Sequence, residues 1–482
     1  MIIKDFAYAG LMKFFEEISA IPRASYKEEK IADYLCEFAK ARGLEYYRDA
    51  CNNVLINAPA TAGMEGSEAI LLQGHTDMVC EKNEGVVHDF DNDGLKLYEE
   101  DGWIKAQGTT LGADNGVAVA IMLYVLDGGV DRHGPIQCLF TASEEVGLDG
   151  AQSFDYSRVY ARKMINMDSA DEQLIIVGCA GGMRTNFSFE VSGEEIVAPA
   201  LVKVSVKGLM GGHSGEDIDK GRANANKLMA RLLGKVMDKD EIGARVVSIY
   251  GGSKDNAIPR ECEAVLAVSD VAALENVVKG EAQILTHGLS DFDKNISISA
   301  KVVGNDVALT CPDKTTAEKL IDFIICVPNG VFEMNYSVGG IVEWSRNLGV
   351  VTLDAGKAEC VFASRSSFES RIDASGEQLD AFAKAFGAST RHYNRYPGWN
   401  FAEVSPLRDS WSASCEKILG KKPEILAIHA GLECGFIKQA VSDMDIISVG
   451  PVIFDLHSPD EKLDKSSFER FYSIVKDVIE NK

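Results

Sequence analysis

Five side chains that could bind a metal ion follow short apolar stretches or lie in a glycine-rich turn. They are two histidines and three carboxylates: His75, Asp114, Glu145, Asp168 and His457. This is a borderline-hard ligand set that suits Zn²⁺, with Mn²⁺ or Co²⁺ as substitutes. Carboxylates among apolar neighbours are costly to bury unless a positive charge compensates them, and a cation is the natural compensation. If one carboxylate bridges, five ligands can hold two ions about 3.5–4 Å apart with a hydroxide between them.

Two further carboxylates lie within two residues of these ligands in the sequence. Asp77 lies two residues after His75, where it could orient that imidazole through its other ring nitrogen. Glu144 directly precedes Glu145, so one carboxylate can bind metal while its neighbour moves a proton. Each residue alone has an ordinary alternative: Asp114 could be only a helix N-cap, and the two glutamates only a solvated face. The interpretation as a metal site therefore depends on all of these residues occurring together.

The elements that must position these residues alternate between strands and helices. Apolar stretches of strand length precede three of the candidate ligands: Ala69–Leu72, Pro135–Thr141 and Lys163–Met167. An apolar helix is predicted at Gly116–Leu126, and Ser25 with Glu28 has the spacing of a capping box for a helix at about Lys27–Arg42. Such alternation predicts a largely parallel sheet flanked by helices, whose carboxyl edge is where ligands bind.

The pattern changes twice along the chain. From about Arg184 the strands become half-exposed and alternate with helices of modest length, which is typical of an antiparallel α+β arrangement. Near Tyr396 the first pattern returns. We predict an α/β fold with a discontinuous catalytic di-metal domain, residues 1–185 and 397–482, and an inserted α+β lid domain, residues 186–396. A chain of 482 residues is also too long for one core.

Composition excludes several classes of function. The chain has 73 acidic against 49 basic residues, a net charge of −24, which disfavours nucleic acid and anionic membranes as partners. Its 11 cysteines contain no C-x-x-C and do not suggest a disulfide framework. The N-terminus, Met1–Gly10, does not resemble a signal peptide, and no apolar stretch approaches the roughly 20 residues of a membrane helix. We expect a soluble, cytoplasmic protein.

Taken together, the motifs resemble the M20 family of metallopeptidases over the whole chain, including the inserted domain. The motifs are His75-Thr-Asp77, Leu111-Gly-Ala-Asp114-Asn-Gly, Glu144-Glu145, Asp168 and the late His457. The segments Gly-His-Thr-Asp-Met-Val, Thr-Ala-Ser-Glu-Glu-Val-Gly and Ile-His-Ala-Gly-Leu-Glu-Cys-Gly are most similar to its bacterial aminoacyl-histidine dipeptidase branch. Five separated motifs in the same order are hard to obtain by chance.

The resemblance implies a role for each metal ligand. Asp114 would bridge two zinc ions. His75 and Asp168 would complete one site, and Glu145 and His457 would complete the other. The peptide bond after Asp114 would be cis.

The resemblance also implies the catalytic groups. Glu144 would be the general base that activates a metal-bridging water, and Asp77 would be the carboxylate on His75. His213, in the glycine-rich turn Met210-Gly-Gly-His-Ser-Gly of the lid, would stabilise the transition state. The sequence leaves open whether His213 acts within its own subunit or on a partner, and a plain surface histidine is the alternative.

Three residues are candidates for binding the two ends of a short peptide. Arg365 could hold a C-terminal carboxylate bidentately, and Asn256 could add a hydrogen bond, as the resemblance also implies. Glu433 could neutralise a free amino group. The alternatives are a surface arginine, a turn asparagine and a helix-start acid.

The expected function is hydrolysis of unblocked dipeptides, including Xaa-His and carnosine-like substrates, by a di-zinc enzyme. The resemblance also implies a homodimer formed through the lid. A deacylase or tripeptidase on the same scaffold is one alternative, and a catalytically inactive binding protein is another. Retention of the five ligands and Glu144 argues against the inactive protein. A dinucleotide enzyme and a cysteine nucleophile are weaker alternatives. Gly178–Gly182 lacks G-x-G-x-x-G spacing, and Cys80 and Cys434 have no Cys–His–Asp pattern.

Overall fold

The computed structural model describes residues 2–336 and 339–481. Ser337, the last residue of a strand predicted at Gly330–Ser337, lies outside this range. The helices, numbered in chain order, are α1 (Ala9–Ser19), α2 (Glu29–Ala41), α3 (Ala113–Tyr124), α4 (Asp149–Ser153), α5 (Ala225–Met237), α6 (Val271–His287), α7 (Lys314–Cys326), α8 (Glu369–Phe386), α9 (Pro406–Leu419), α10 (Cys434–Ala440) and α11 (Lys465–Glu480).

The strands are numbered in the same way. They are β1 (Glu45–Arg48), β2 (Val54–Ala58), β3 (Ile70–His75), β4 (Leu97–Glu100), β5 (Trp103–Ala106), β6 (Ile136–Thr141), β7 (Lys163–Asn166), β8 (Leu174–Cys179), β9 (Gly181–Phe189), β10 (Gly193–Lys207), β11 (Gly212–His213), β12 (Arg245–Gly251), β13 (Ala257–Ile258), β14 (Cys262–Val268), β15 (Ser297–Pro312), β16 (Gly330–Asn335), β17 (Ile341–Asp354), β18 (Lys357–Ser366), β19 (Ser389–Tyr396), β20 (Glu424–Ile428), β21 (Asp445–Ser448), β22 (Ile453–Phe454) and β23 (Lys462–Asp464).

The chain divides into two compact units. Unit 1 contains Met1–Cys179, Trp399–Ala427 and Leu432–Lys482, and unit 2 contains Ala180–Gly398 and Ile428–Gly431. The functional domain boundaries predicted at 185/186 and 396/397 stay a prediction. The return of Ile428–Gly431 to unit 2 has no signal in the sequence.

Unit 1 is built on a sheet of strand order β1-β2-β6-β3-β7-β21-β8-β20. The four central strands pair in parallel, which confirms the predicted α/β class. Pairing is antiparallel between β1 and β2, between β2 and β6, and between β21 and β8. The sheet is therefore mixed rather than parallel throughout. The link between β1 and β2, residues 49–53, is too short for the crossover that parallel neighbours require.

Parallel pairing brings the chemistry-bearing ends of three strands to one edge. His75 at the end of β3 is in register with Thr141 at the end of β6, and Gln73 is in register with Asn166 at the end of β7. Helix α3 packs closely over β3, since a Cβ on Gly74 would lie 2.4 Å from the Cβ of Ala118. Only glycine permits this approach of helix and strand.

A small sheet of strand order β22-β23-β5-β4 holds the last candidate ligand. Strands β22 and β23 form an antiparallel hairpin whose loop, residues 455–461, contains His457. Buried Leu463 of β23 is in register with buried Ile104 of β5, so the hairpin is anchored in unit 1. Within the described chain, no helix is long and apolar enough to cross a membrane.

Unit 2 contains an antiparallel sheet of strand order β15-β10-β14-β12-β17-β18-β9-β19, with β16 paired to β17. Its apolar core includes side chains from helices α5, α6, α7 and α8, and the rings of Phe187 and Phe323 stack 3.7 Å apart. This confirms the predicted α+β arrangement. The sequence predicts separate strands at Ser297–Val303 and Asp306–Thr310, which is wrong, because β15 runs unbroken through Gly304 and pairs with β10 on both sides of it.

Candidate active site

Asp114 lies between the two candidate histidines of unit 1. Its Oδ1 is 3.0 Å from Nε2 of His75, and its Oδ2 is 3.2 Å from Nε2 of His457. Each carboxylate oxygen therefore faces a different imidazole, which is the arrangement expected of a bridging ligand. An ordinary helix N-cap does not account for these contacts, because both carboxylate oxygens of Asp114 face imidazole nitrogens rather than backbone N–H groups of α3. The Asp114–Asn115 peptide bond is cis, as the resemblance implied.

The two remaining candidate ligands complete a group on each side of Asp114. Oδ1 of Asp168 is 3.5 Å from Nε2 of His75, and Oε1 of Glu145 is 3.1 Å from Nε2 of His457. The ligand atoms within each three-residue group lie within 4.8 Å of one another. The structure thus brings all five predicted ligands together in two groups that share one carboxylate.

The chemistry of this cluster fits bound cations. In the protein alone, hydrogen bonds to Asp114 and Glu145 raise the pKa of His457 to about 10. Burial opposes protonation of His75, but Asp168 and Asp114 outweigh it and raise its pKa well above the ordinary value. Oε1 of Glu145 is buried, 3.1 Å from Nε2 of His457. Divalent cations would replace the protons of both imidazoles, because metal ligands bind in their deprotonated forms.

Asp77 connects the first histidine to the glutamate pair. Nδ1 of His75 lies 3.1 Å from the main-chain oxygen of Asp77 and 3.3 Å from its Oδ1, so the ring donates from Nδ1 and presents Nε2 to the cluster. The backbone N–H groups of Glu144 and Glu145 donate to the same carboxylate at 3.0 and 3.3 Å. One buried side chain therefore orients the imidazole and the turn that carries both glutamates.

Glu144 lies next to the cluster. One of its oxygens lies within 4.8 Å of ligand atoms of His75 and Glu145. Burial, together with the charges of Asp168 and Glu433, raises the pKa of Glu144 well above its usual value despite the opposing charge of His75. A carboxyl group in such a place can hold and release a proton.

Sequence reasoning missed the groups that hold this edge of the sheet. Ser25 and Glu28 do not form a capping box, since α2 starts without a side-chain cap. Ser25 Oγ instead donates to Asp77 at 2.8 Å, and Glu28 accepts hydrogen bonds from the N–H and Oγ of Ser143 at 2.9 and 2.7 Å. The side chains of the Ser-x-x-Glu pattern therefore contact the turns of Asp77 and Ser143 rather than capping the helix.

Glu433 is buried beneath the same edge of unit 1. Its Oε2 accepts hydrogen bonds from Gln73 Nε2 at 2.5 Å and from Thr141 Oγ1 at 2.7 Å. Its Oε1 has no hydrogen-bond partner among the residues described. Burial raises the pKa of Glu433 to about 7, although the charge of His75 opposes this shift.

A second group of predicted site residues gathers inside unit 2. Arg365, near the end of β18, donates to Tyr396 Oη at 2.9 Å, and its Nη2 lies 3.4 Å from both His213 Nε2 and Ser214 Oγ. The Nε of Arg365 is buried and has no partner among the described residues. Asn256 is exposed, and its main-chain oxygen accepts a 2.8 Å hydrogen bond from Ser214 N. A carboxylate is the natural partner for such a cationic group.

Both ring nitrogens of His213 face hydrogen-bond donors. The N–H of Glu216 donates to Nδ1 at 3.3 Å, and Nη2 of Arg365, which can only donate, lies 3.4 Å from Nε2. Burial and the charge of Arg365 lower the pKa of His213. The ring is therefore neutral near neutral pH.

His429 belongs to the segment that returns to unit 2. Its ring is buried, and Nε2 lies 2.7 Å from Ser345 Oγ. Burial, followed by the charges of Arg365 and His213, lowers its pKa from 6.5 to about 3. His429 therefore contributes a neutral ring to the floor of this cluster.

The free energy of unfolding should fall on acidification because of His429. Between its ordinary pKa of 6.5 and about 3, the unfolded chain binds a proton that the folded chain does not. The corresponding loss is up to about 5 kcal/mol. Urea titrations at several pH values should show a shallower dependence on pH for His429→Gln than for the wild type. Exposed His287→Gln is the control, and equal slopes for all three proteins would contradict the buried neutral ring.

Comparison with known proteins identifies the class to which this fold and site belong. The chain is a member of peptidase family M20/M25/M40, whose family model matches residues 71–481. The two histidine–carboxylate groups are consistent with metal-dependent hydrolysis of peptide bonds.

Relatives extend over nearly the full length of the chain. The cytosol non-specific dipeptidase of Escherichia coli K12 is 38% identical over 473 residues, which cover 97% of this chain and 96% of that protein. The crystal structure of aminoacylhistidine dipeptidase from Vibrio alginolyticus matches with a TM-score of 0.90 and 36% identity, over 99% of this chain and 97% of that one. Aminopeptidase PepT from Bacillus cereus has a TM-score of 0.56 at 17% identity, over 98% of each chain, and shows the shared fold alone.

Proposed function

We propose that this protein is a dipeptidase that hydrolyses unblocked dipeptides, including Xaa-His and carnosine-like substrates, with two divalent cations. The observation that carries the proposal is the position of Asp114, whose two oxygens face different histidine–carboxylate groups. The names of the relatives from E. coli and V. alginolyticus support dipeptides and aminoacyl-histidines as the substrate class. Carnosine-like substrates share the C-terminal histidine.

The proposed cofactors are two Zn²⁺ ions, for which Mn²⁺ or Co²⁺ could substitute. His75 and Asp168 would hold one ion, Glu145 and His457 the other, and Asp114 both. When bound, such ions lower the pKa of coordinated water and polarise a carbonyl group. Asp77 would keep the tautomer of His75 that leaves Nε2 free for the metal.

The chain's own groups would then move the protons. Glu144 would accept a proton from the attacking water and return it to the leaving amine nitrogen, so its turn must be held firmly. The contacts from Asp77 to the N–H groups of Glu144 and Glu145 supply that constraint. His213, whose pKa is lowered by burial and by the charge of Arg365, would hydrogen-bond the developing oxyanion from Nε2 in the tautomer that carries its proton there.

Two charged groups are proposed for the ends of the dipeptide. Arg365, with Asn256, would bind the C-terminal carboxylate, and the Nε of Arg365, which has no hydrogen-bond partner among the described residues, is a donor for it. Glu433 would bind the free amino group through its Oε1, which likewise has no partner in the described part of the chain. A substrate that lacks either charge would leave one of these buried groups unpaired, which is costly.

We further propose a cytoplasmic homodimer assembled through the lid domain. Strand β15 lies at one edge of the sheet of unit 2 and is 16 residues long, with exposed Val302 and Val303. An exposed edge of this length is a template for pairing with another strand. The proposed location follows the cytosolic name of the E. coli relative.

Substrate charge should separate a dipeptidase from the related deacylase and tripeptidase functions. We expect the wild type to cleave a free Xaa-His dipeptide at least about 10-fold better, in kcat/KM, than its C-terminal amide or its N-acetyl derivative. Arg365→Gln should lower kcat/KM for the free dipeptide by about 10–100-fold, because a charge-assisted contact is lost, while the amide is little affected. Steady-state assays with all three compounds provide the measurement.

The control is Arg371→Ala, an arginine of unit 2 that pairs with Glu333 at 2.9 Å and is 44% exposed. Arg371→Ala should leave kcat/KM unchanged for the free dipeptide, the C-terminal amide and the N-acetyl derivative. Equal losses on acid and amide would show that Arg365 is structural. A preference for the N-acetyl compound would identify a deacylase, and a preference for tripeptides would identify a tripeptidase.

A further inference from the structure

A buried glutamate outside the ligand set binds the turn that carries Asp114. Oε2 of Glu461 accepts hydrogen bonds from the N–H groups of Leu111 and Gly112 at 2.8 and 2.9 Å. Its Oε1 accepts from those of Ala113 and Asp114 at 2.9 and 3.4 Å. Glu461 is 3% exposed, so these four donors and nearby positive charge compensate the cost of burying its carboxylate.

Arg23 contacts the same turn from its carbonyl side. Its Nη2 donates to the main-chain oxygen of Gly112 at 2.5 Å, and its Nη1 donates to those of Thr76 and Asp77 at 3.0 and 3.2 Å. A Cβ on Gly112, where φ is +65°, would lie 2.5 Å from that Nη2. Opposite charges thus hold the two sides of one peptide turn.

We propose that Glu461 is a positioning residue for the metal-bridging carboxylate, and that with Arg23 it clamps the Leu111–Asp114 turn. The inference rests on the proposed two-metal site. Because Asp114 faces both histidines, displacement of its backbone weakens the binding of both ions together. Loss of a single terminal ligand such as Asp168 affects one group first.

The hairpin loop between β22 and β23 carries both a proposed metal ligand and the residue that holds the turn of Asp114. His457 and Glu461 both belong to that loop, and Glu461 N donates to Ser458 O at 3.1 Å. The loop therefore supplies one ligand directly and positions the shared ligand through its backbone. Through His457 and Glu461, the loop contacts the turn of Asp114, which is about 350 residues away in the sequence.

The test is metal affinity rather than activity alone. Glutamine in place of Glu461 keeps the shape but loses the charge and one acceptor, so some of the four N–H groups lose their partner. Titration of metal-free Glu461→Gln with Zn²⁺ against a chromophoric chelator should show both ions bound about 10–100-fold more weakly than in the wild type. Melting of the metal-free proteins by circular dichroism checks that the variant is folded.

Asp445→Asn is the matched control. Asp445 accepts a hydrogen bond from Leu407 N at 2.9 Å in the first turn of α9, whose N-cap is Ser405, so its substitution weakens a helix start in the same unit. It should lower the melting temperature and leave zinc affinity unchanged. A folded Glu461→Gln protein whose affinities are within twofold of the wild type would overturn the clamp. If Glu461→Gln does not fold, Arg23→Lys is titrated instead. Zinc affinity of Arg23→Lys equal to that of the wild type would also overturn the clamp.

The wild-type titration separates this inference from the proposed function. A wild type that binds no zinc overturns the two-metal site itself. A wild type that binds two ions, beside a Glu461→Gln variant that binds them equally well, overturns the clamp alone.

Discussion

Replacing Glu144 by glutamine is expected to lower kcat on unblocked dipeptides by about 10²–10⁴-fold, the usual contribution of a general acid–base group. Glutamine preserves the shape of the side chain and the backbone contact with Asp77, but it cannot accept the proton of the attacking water. KM and zinc content should change little, because Glu144 is not one of the five proposed ligands. Steady-state kinetics with metal analysis of the same samples makes the measurement.

Two substitutions provide the comparison for this result. Glu145→Gln, beside it, should reduce metal affinity as well as turnover, since its Oε1 faces His457 at 3.1 Å. Glu45→Gln, on an exposed strand of the same unit, should change neither. A Glu144→Gln enzyme with wild-type turnover would remove the proposed base, and an equal loss of metal in both active-site variants would make Glu144 a ligand instead.

Removing the metal ions should abolish turnover and destabilise unit 1. Without cations, the carboxylates of Asp114, Glu145 and Asp168 lie close together around the two imidazoles. Binding to the folded state alone contributes about 4 kcal/mol to the free energy of unfolding when free metal exceeds Kd 1,000-fold. The melting temperature should therefore fall on dialysis against a chelator and rise again with added metal.

Adding single divalent cations back to the metal-free protein identifies which metal the site uses. Zn²⁺, Mn²⁺ or Co²⁺ should restore turnover, whereas Ca²⁺, which prefers six to eight oxygen ligands, should not. Full turnover by a protein shown to contain no metal would contradict the proposed mechanism. Two bound zinc ions without turnover on any peptide would instead favour the catalytically inactive binding protein.

Much of the site could be predicted because its residues have local signatures. His75 and Asp168 follow apolar strands, and Asp114 lies in a glycine-rich turn before an apolar helix. Parallel strands place their carboxyl ends at one edge of a sheet, so these separate signals converge on one place. The α/β class and the α+β character of unit 2 could be predicted for the same reason, since both follow from the period and length of apolar stretches.

The extent of some strands could not be predicted from local patterns. Gly304, Asn305 and Asp306 interrupt the apolar pattern, yet β15 continues through them because β10 lies alongside and pairs with both halves. Tertiary pairing overrides local propensity in such an edge strand.

The sequence by itself determined which residues are candidates for the chemistry, because metal ligands and a general base require particular side chains. Only the tertiary structure decided how those residues are held. Ser25 contacts Asp77, and Glu461 binds the turn of Asp114 from a hairpin about 350 residues away. Periodicity and spacing report only neighbours along the chain, whereas a buried carboxylate is stabilised by whichever N–H groups the fold brings to it.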